Sequence, residues 1–128
     1  MRRDSSDVHW REVKERVRKR DRNKDRILRI LSVKEALTLQ KHAPSIMLRK
    51  LDAAHIFPVS MYPDIMYNDA NIVTLNRFSH EALDNLRDPV TNEPLSYEER
   101  QEWWKRIAGE EQWKALASFV DRLGPDDS

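Results

Sequence analysis

The stretch Leu51-Asp-Ala-Ala-His-Ile-Phe-Pro58, followed by Asn71-Ile-Val-Thr-Leu-Asn-Arg-Phe-Ser-His-Glu-Ala-Leu-Asp84, decides how this chain is read. Met47 to Ile56 leads into an apolar run that reads as a strand with His55 at its end. Ile72 to Leu75 reads as a second short strand, opened by Asn71. Between them, Phe57 to Asn71 holds Pro58, Pro63 and an Asn-Asp-Ala-Asn cluster, the composition of a loop. Phe78 to about Leu86 then reads as a helix carrying His80 and Asp84, which stand four residues apart. That interval is one helical turn, so an imidazole and a carboxylate aim at one point. A base, an amide and two potential metal ligands therefore fall within two strands and a helix.

Outward from this centre the pattern is helical. Ser6 or Asp7 is placed to cap a helix to about Arg20, with Trp10, Val13 and Val17 on one stripe. Arg20 to Arg26 is too polar to bury and reads as a connection. Ser32-Val-Lys-Glu35 is a capping box, opening a helix with Val33, Ala36 and Leu37 facing inward and Leu39 as a further candidate. It should stop near His42, because Pro44 disfavours helix at Ala43. Arg87 to Pro94 reads as a loop. Ser96-Tyr-Glu-Glu99 is a second capping box, whose helix runs through Trp103, Trp104 and Ile107 to a C-cap at Gly109. A last helix, Glu110 to Leu123, packs Trp113, Leu116, Ala117 and Val120 and ends at Gly124-Pro125. The tail aromatics, at helical spacing, read as core rather than as a ligand platform. The expected fold class is α+β, mostly helical: a two-stranded hairpin and helix flanked by N-terminal and C-terminal helices. One domain over 1–128 is expected, with a basic helical arm at 1–46, the hairpin-and-helix core at 47–87 and a helical tail at 88–128.

Length and composition fit a small module. A chain of 128 residues can bury one modest core, and 35% charged residues with only two glycines point to a helix-rich, well-solvated protein. No apolar run approaches the roughly 18 to 20 residues needed to span a bilayer. Met-Arg-Arg-Asp-Ser-Ser-Asp runs into a charged helix rather than an apolar signal core. The absence of cysteine excludes a disulfide frame and a thiolate zinc site. A soluble, intracellular, cytoplasmic protein without membrane contact is expected. The net charge of +1 hides an asymmetry. Residues 1–50 hold 16 Lys and Arg against 7 Asp and Glu, a balance of +9, and residues 51–128 hold 7 against 15, a balance of −8. Ten of the cations lie between Arg11 and Arg29. Such a run is either a solvated helix face or a phosphate-contacting surface that releases counterions on meeting a duplex.

The stretch from Leu51 to Asn85 resembles the HNH (ββα-metal) nucleases. A weaker likeness covers Trp10-Arg-Glu-Val-Lys-x-x-Val-x-x-Arg-Asp21, similar to the opening helix of many HNH proteins. Asp-Ala-Ala-His-Ile-x-Pro with a His-x-x-x-Asp ending is similar to a subgroup found with restriction and phage systems. The resemblance implies DNA cleavage by metal-assisted hydrolysis, leaving 5′-phosphate and 3′-hydroxyl ends. It implies His55 as general base, and Asn71 as the amide that ties down the long loop and helps orient His55. His80 and Asp84 become helix-borne ligands of one divalent ion, Mg²⁺ or Mn²⁺, with Zn²⁺ or Ni²⁺ as alternatives. Many HNH proteins carry Cys-x-x-Cys zinc knuckles; this chain must hold its frame by packing. Beside such a site, the basic run favours nucleic acid, with Arg16, Arg18, Lys19 and Arg77 as candidate phosphate contacts.

Each residue also has a plainer reading. A lone histidine is more often surface or core, and His9 and His42 are read so. His55 differs through the following Ile-x-Pro, the asparagine sixteen residues on and the His-x-x-x-Asp pair. Asn71, like Asn68, could be a turn residue, and Asp84 could merely cap or solvate its helix. In most HNH proteins the residue before the base is His or Asp and is the first metal ligand, whereas here it is Ala54. Three explanations stay open. Asp52, two residues back on the same face and about 7 Å away at ~3.4 Å per residue, substitutes. Alternatively His80, Asp84 and water suffice for a hydrated ion, or the site is weakened.

The leading expectation is an HNH endonuclease acting on DNA in a phage or mobile-element setting. Its specificity would be weak, or supplied by a targeting partner, with a homodimer as the other candidate assembly. The second is a non-catalytic nucleic-acid-binding module with a degenerate site. The third, a helical protein-interaction adaptor, leaves the His55–Asp84 constellation unexplained.

Overall fold

In the computed structural model, which describes residues 5–123, two strands form a hairpin: β1 (Leu51–His55) and β2 (Ile72–Asn76). They pair antiparallel, with Leu51 opposite Asn76 and His55 opposite Ile72. Every residue of β2 is buried, because both of its faces are covered. On one side α1 (Ser5–Arg20) lays Val13 and Val17 against Ile72, as its apolar stripe predicts. On the other, Val73 and Leu75 join Ala54 in the main core with Ile27, Leu83 and Trp104. That core takes side chains from arm, hairpin segment and tail alike.

The outer edge of β2 is closed by side chains rather than by a third strand. Asp21 accepts from the Thr74 N–H at 2.9 Å, and Asp25 from the Asn76 N–H at 3.2 Å. Arg20 donates to the Ile72 carbonyl at 2.6 Å. The segment from Arg20 to Arg26, expected to be an exposed polar connection, therefore contains the buried Asp21, Asp25 and Arg26. Polarity did not keep it outside, because an unpaired strand edge demands donors and acceptors. Arg26 neutralises Asp21 at 2.8 Å and donates to the Ala108 carbonyl and the Gln112 side chain. Burial pushes the Asp21 carboxyl up, but the hydrogen bonds from Arg20 and Thr74 outweigh it and hold the group below its ordinary value. At Asp25 burial prevails over the Asn76 contacts, and the pKa is raised.

Both capping boxes form. Ser32 and Glu35 open α2 (Val33–His42), and Ser96 and Glu99 open α5 (Tyr97–Ala108). The inward stripe of α2 differs from the expected one. Val33 and Leu37 are 79% and 61% exposed, while Leu39 and Ala43 reach the core. Leu39 and Ala43, four apart, form the packing face and turn the Val33–Leu37 stripe outward. After Pro44 the chain makes a short helix, α3 (Ser45–Arg49), before entering β1. Helix α4 (Arg77–Asp84) follows β2 without a loop, because Asn76 ends the strand and caps the helix, accepting from Ser79 N–H at 2.8 Å. Gly109, at φ 86°, ends α5 in a conformation that favours glycine, and α6 (Glu110–Leu123) follows. Ser6 and Asp7, expected to cap α1, lie within it, because the helix already runs at Ser5; the ending at Gly124-Pro125 lies outside the described residues. Among the described residues no helix is long and apolar enough to cross a membrane.

Candidate active site

His55 ends β1, half-buried, with its imidazole held on two sides. Its Nε2 lies 2.9 Å from the Met66 carbonyl. A carbonyl only accepts, so Nε2 carries the proton and Nδ1 keeps a free lone pair. The indole of Trp10 stacks on the ring at 5.1 Å and 15°. Lys14 places its ammonium 5.6 Å from that indole. Burial pushes the His55 pKa below its ordinary value, against a smaller opposing effect of the Met66 contact, so the ring is neutral at pH 7.

Asn71 is fully buried and clamps the loop that leaves His55. Its Oδ1 accepts from Phe57 N–H at 2.7 Å, and its Nδ2 donates to the Phe57 and Ile65 carbonyls at 3.1 and 3.4 Å. Its own carbonyl takes the Ile56 N–H at 2.8 Å. Asn71 acts on His55 through this backbone frame, as a positioning residue. Asn68 instead serves its own turn, accepting from Ala70 N–H at 2.9 Å.

The helix pair converges. His80 Nε2 lies 3.2 Å from Asp84 Oδ2, and His80 Nδ1 lies 3.0 Å from Asp52 Oδ2. The Asp84 hydrogen bond raises the His80 pKa to about 8, with burial opposing and Asp52 assisting. Asp52 thus stands behind the imidazole, not beside its outward nitrogen. Its carboxylate is also gripped by Arg77, at 2.9 Å to Oδ1 and 3.3 Å to Oδ2. Burial pushes Asp52 up, but the Arg77 and His80 bonds outweigh it and leave its pKa lowered. Asp52, the expected substitute for a ligand at position 54, here bonds Arg77 and His80 through its two oxygens, and the carboxylate orients the His80 ring. Ala54 is wholly buried and supplies no donor. Arg77, a candidate phosphate contact, is likewise drawn into the Asp52 pair.

His55, His80 and Asp84 line one cleft of about 270 Å³, together with Pro58, Trp104 and Arg100. Sequence reading missed Arg100 and, as a site residue, Trp10. Arg100 lies on α5, forty-five residues beyond His55, and no spacing signal marks it. Trp10 was visible only as one member of an inward stripe. For a metal ion, His80 and Asp84 are the paired donors on the cleft wall, with the His55 imidazole on the same cleft. Among the described residues no group of three or more His, Cys, Asp or Glu is placed to hold one. Two donors with a carboxylate-oriented histidine fit a hydrated ion that keeps most of its waters.

The basic arm divides. Arg26 is buried, Arg20 is exposed but bonded to Asp21 and the Ile72 carbonyl, and Arg16 forms a fork with Asp69 at 3.1 Å for both bonds. Arg18 and Lys19 are exposed. No family model, curated protein or solved structure matches the chain.

Proposed function

We propose that this protein is a metal-dependent endonuclease of the HNH (ββα-metal) type, hydrolysing DNA phosphodiester bonds. One observation carries the reading. A neutral histidine with a free Nδ1 faces the same cleft as a His–Asp pair one helical turn apart. His55 Nδ1 takes a proton from water as the water oxygen bonds to phosphorus. The P–O3′ bond breaks, leaving a 5′-phosphate and an oxygen that is protonated to a 3′-hydroxyl. Trp10 and Met66 keep the imidazole from turning away, and Asn71 keeps the loop from moving it. His80 and Asp84 hold the ion, Mg²⁺ or Mn²⁺, with Zn²⁺ or Ni²⁺ also compatible with an imidazole donor. When bound, that ion supplies charge stabilisation to the phosphoryl oxygens. Asp52 fixes the His80 ring so that Nε2 points outward, and Arg77 fixes Asp52. Arg100 brings a permanent cation to the cleft wall, where it offsets phosphate charge.

The second reading, a nucleic-acid-binding module with a degenerate site, draws on Ala54 and the two-donor set. Supercoiled plasmid separates the two. The nuclease relaxes or linearises it with Mg²⁺, Mn²⁺, Zn²⁺ or Ni²⁺ and stops with EDTA. Intact plasmid under every metal, together with retained DNA binding, would establish the second reading instead.

A further inference from the structure

A second cleft adjoins the first, and Ile56, Pro58, Arg100 and Trp104 line both. Its remaining walls are largely aromatic: Phe57, Tyr97 and Trp113. Its volume of about 70 Å³ is about half the ~150 Å³ that encloses a benzene ring, so it admits the edge of a planar ring rather than a whole base. The walls are rigid. Phe57 stacks on Trp113 at 5.7 Å and meets Tyr62 edge-on at 5.3 Å. The Phe57 backbone is held at both its N–H and its carbonyl by Asn71. Tyr97, in the first turn of α5, lines this cleft and is 68% exposed. The Arg100 guanidinium lies over that ring at 5.3 Å and donates to the Leu83 carbonyl at 3.1 Å.

A cation thus stands between a polar cleft suited to a phosphate and an apolar, aromatic cleft that admits the edge of a ring. A nucleotide presents those two chemistries side by side. We propose that the second cleft takes the edge of an unpaired nucleobase next to the scissile phosphate, with the exposed Tyr97 as its stacking platform. This inference rests on the nuclease reading and names its substrate class: DNA with an unpaired nucleotide at the cut, which negatively supercoiled plasmid offers where it opens, in preference to relaxed duplex. In a duplex that base is stacked and paired within the helix, and extruding it opposes binding. In single-stranded DNA the base is free to enter.

The test uses a short oligonucleotide carrying a single 2-aminopurine, offered single-stranded and fully paired to the full chain in EDTA. The fluorophore is quenched when it stacks, and anisotropy reports affinity in the same sample. Wild type should quench the single strand and bind it more tightly than the duplex. Tyr97→Ala should lose most of the quenching and about tenfold in single-strand affinity, and Tyr97→Phe should restore both. Equal binding of single strand and duplex, or unchanged quenching by Tyr97→Ala, overturns the proposal. Because EDTA removes the metal, failure to cut plasmid leaves this readout standing. Conversely, plasmid cutting without single-strand preference sinks the base pocket alone.

Discussion

His55 and His80 are the same side chain in opposed environments. Burial drives the first below its ordinary pKa, and the Asp84 contact lifts the second to about 8. A neutral His55 suits a proton acceptor, whereas His80 without metal is an imidazolium clamped between two carboxylates. The raised His80 pKa contributes stability that is fully present below the unfolded value of 6.5 and lost as pH rises through about 8. Metal has the opposite preference. It needs the Nε2 lone pair, so binding at lower pH expels a proton. Metal affinity should therefore fall up to tenfold per pH unit below about 8 and level off above it. Calorimetry with Mn²⁺ in buffers of different ionisation enthalpy would count the proton. A flat affinity between pH 6.5 and 8.5 would remove His80 from the ligand set. The sequence showed this pair, because an i, i+4 spacing is local. It did not show that Asp52 serves His80, since that depends on Arg77 and on the hairpin register.

At the scale of elements, the hairpin is held by the Arg20–Arg26 segment that closes its free edge. Local signals were legible there and elsewhere: Ser32 with Glu35, Ser96 with Glu99, and Gly109 each mark a boundary through bonds within one turn. The burial of Asp21 and Asp25 was not, because a polar segment goes inside only if a distant strand offers the matching groups. Helix α2 was misread for a similar reason: Val33 and Leu37 fit an apolar stripe, but tertiary packing chose the stripe of Leu39 and Ala43. Asp21→Ala should destabilise the protein by about 3–5 kcal/mol, leaving Arg26 buried and uncompensated and the Thr74 N–H unpaired. Arg16→Ala, which breaks an exposed pair with Asp69, should cost roughly 0–1 kcal/mol. Urea midpoints compare the two. Similar losses for both would mean that Asp21 does not hold the edge.

Across the whole molecule the charge is split between a basic N-terminal arm and an acidic C-terminal half, yet part of the arm's charge is engaged within the protein. Arg16, Arg20 and Arg26 are bound to Asp69, Ile72 and Asp21. DNA affinity should then come from exposed cations such as Arg18 and Lys19. Reversing these two to Glu should weaken binding to every sequence alike and flatten the log-affinity against log-salt slope by about 0.9 for each phosphate no longer neutralised. Curves that overlay wild type from roughly 50 to 200 mM salt would make the arm a solvated face. Chemistry is separable from this affinity, and the central claim is that His55 performs it. The most direct measurement is plasmid cleavage by His55→Ala beside wild type, in saturating Mn²⁺, with metal and DNA affinities measured on the same preparations. Cleavage should fall by about 10² to 10⁴ with both affinities nearly intact. A mutant that cuts within a few-fold of wild type would contradict the assignment of His55 as the base.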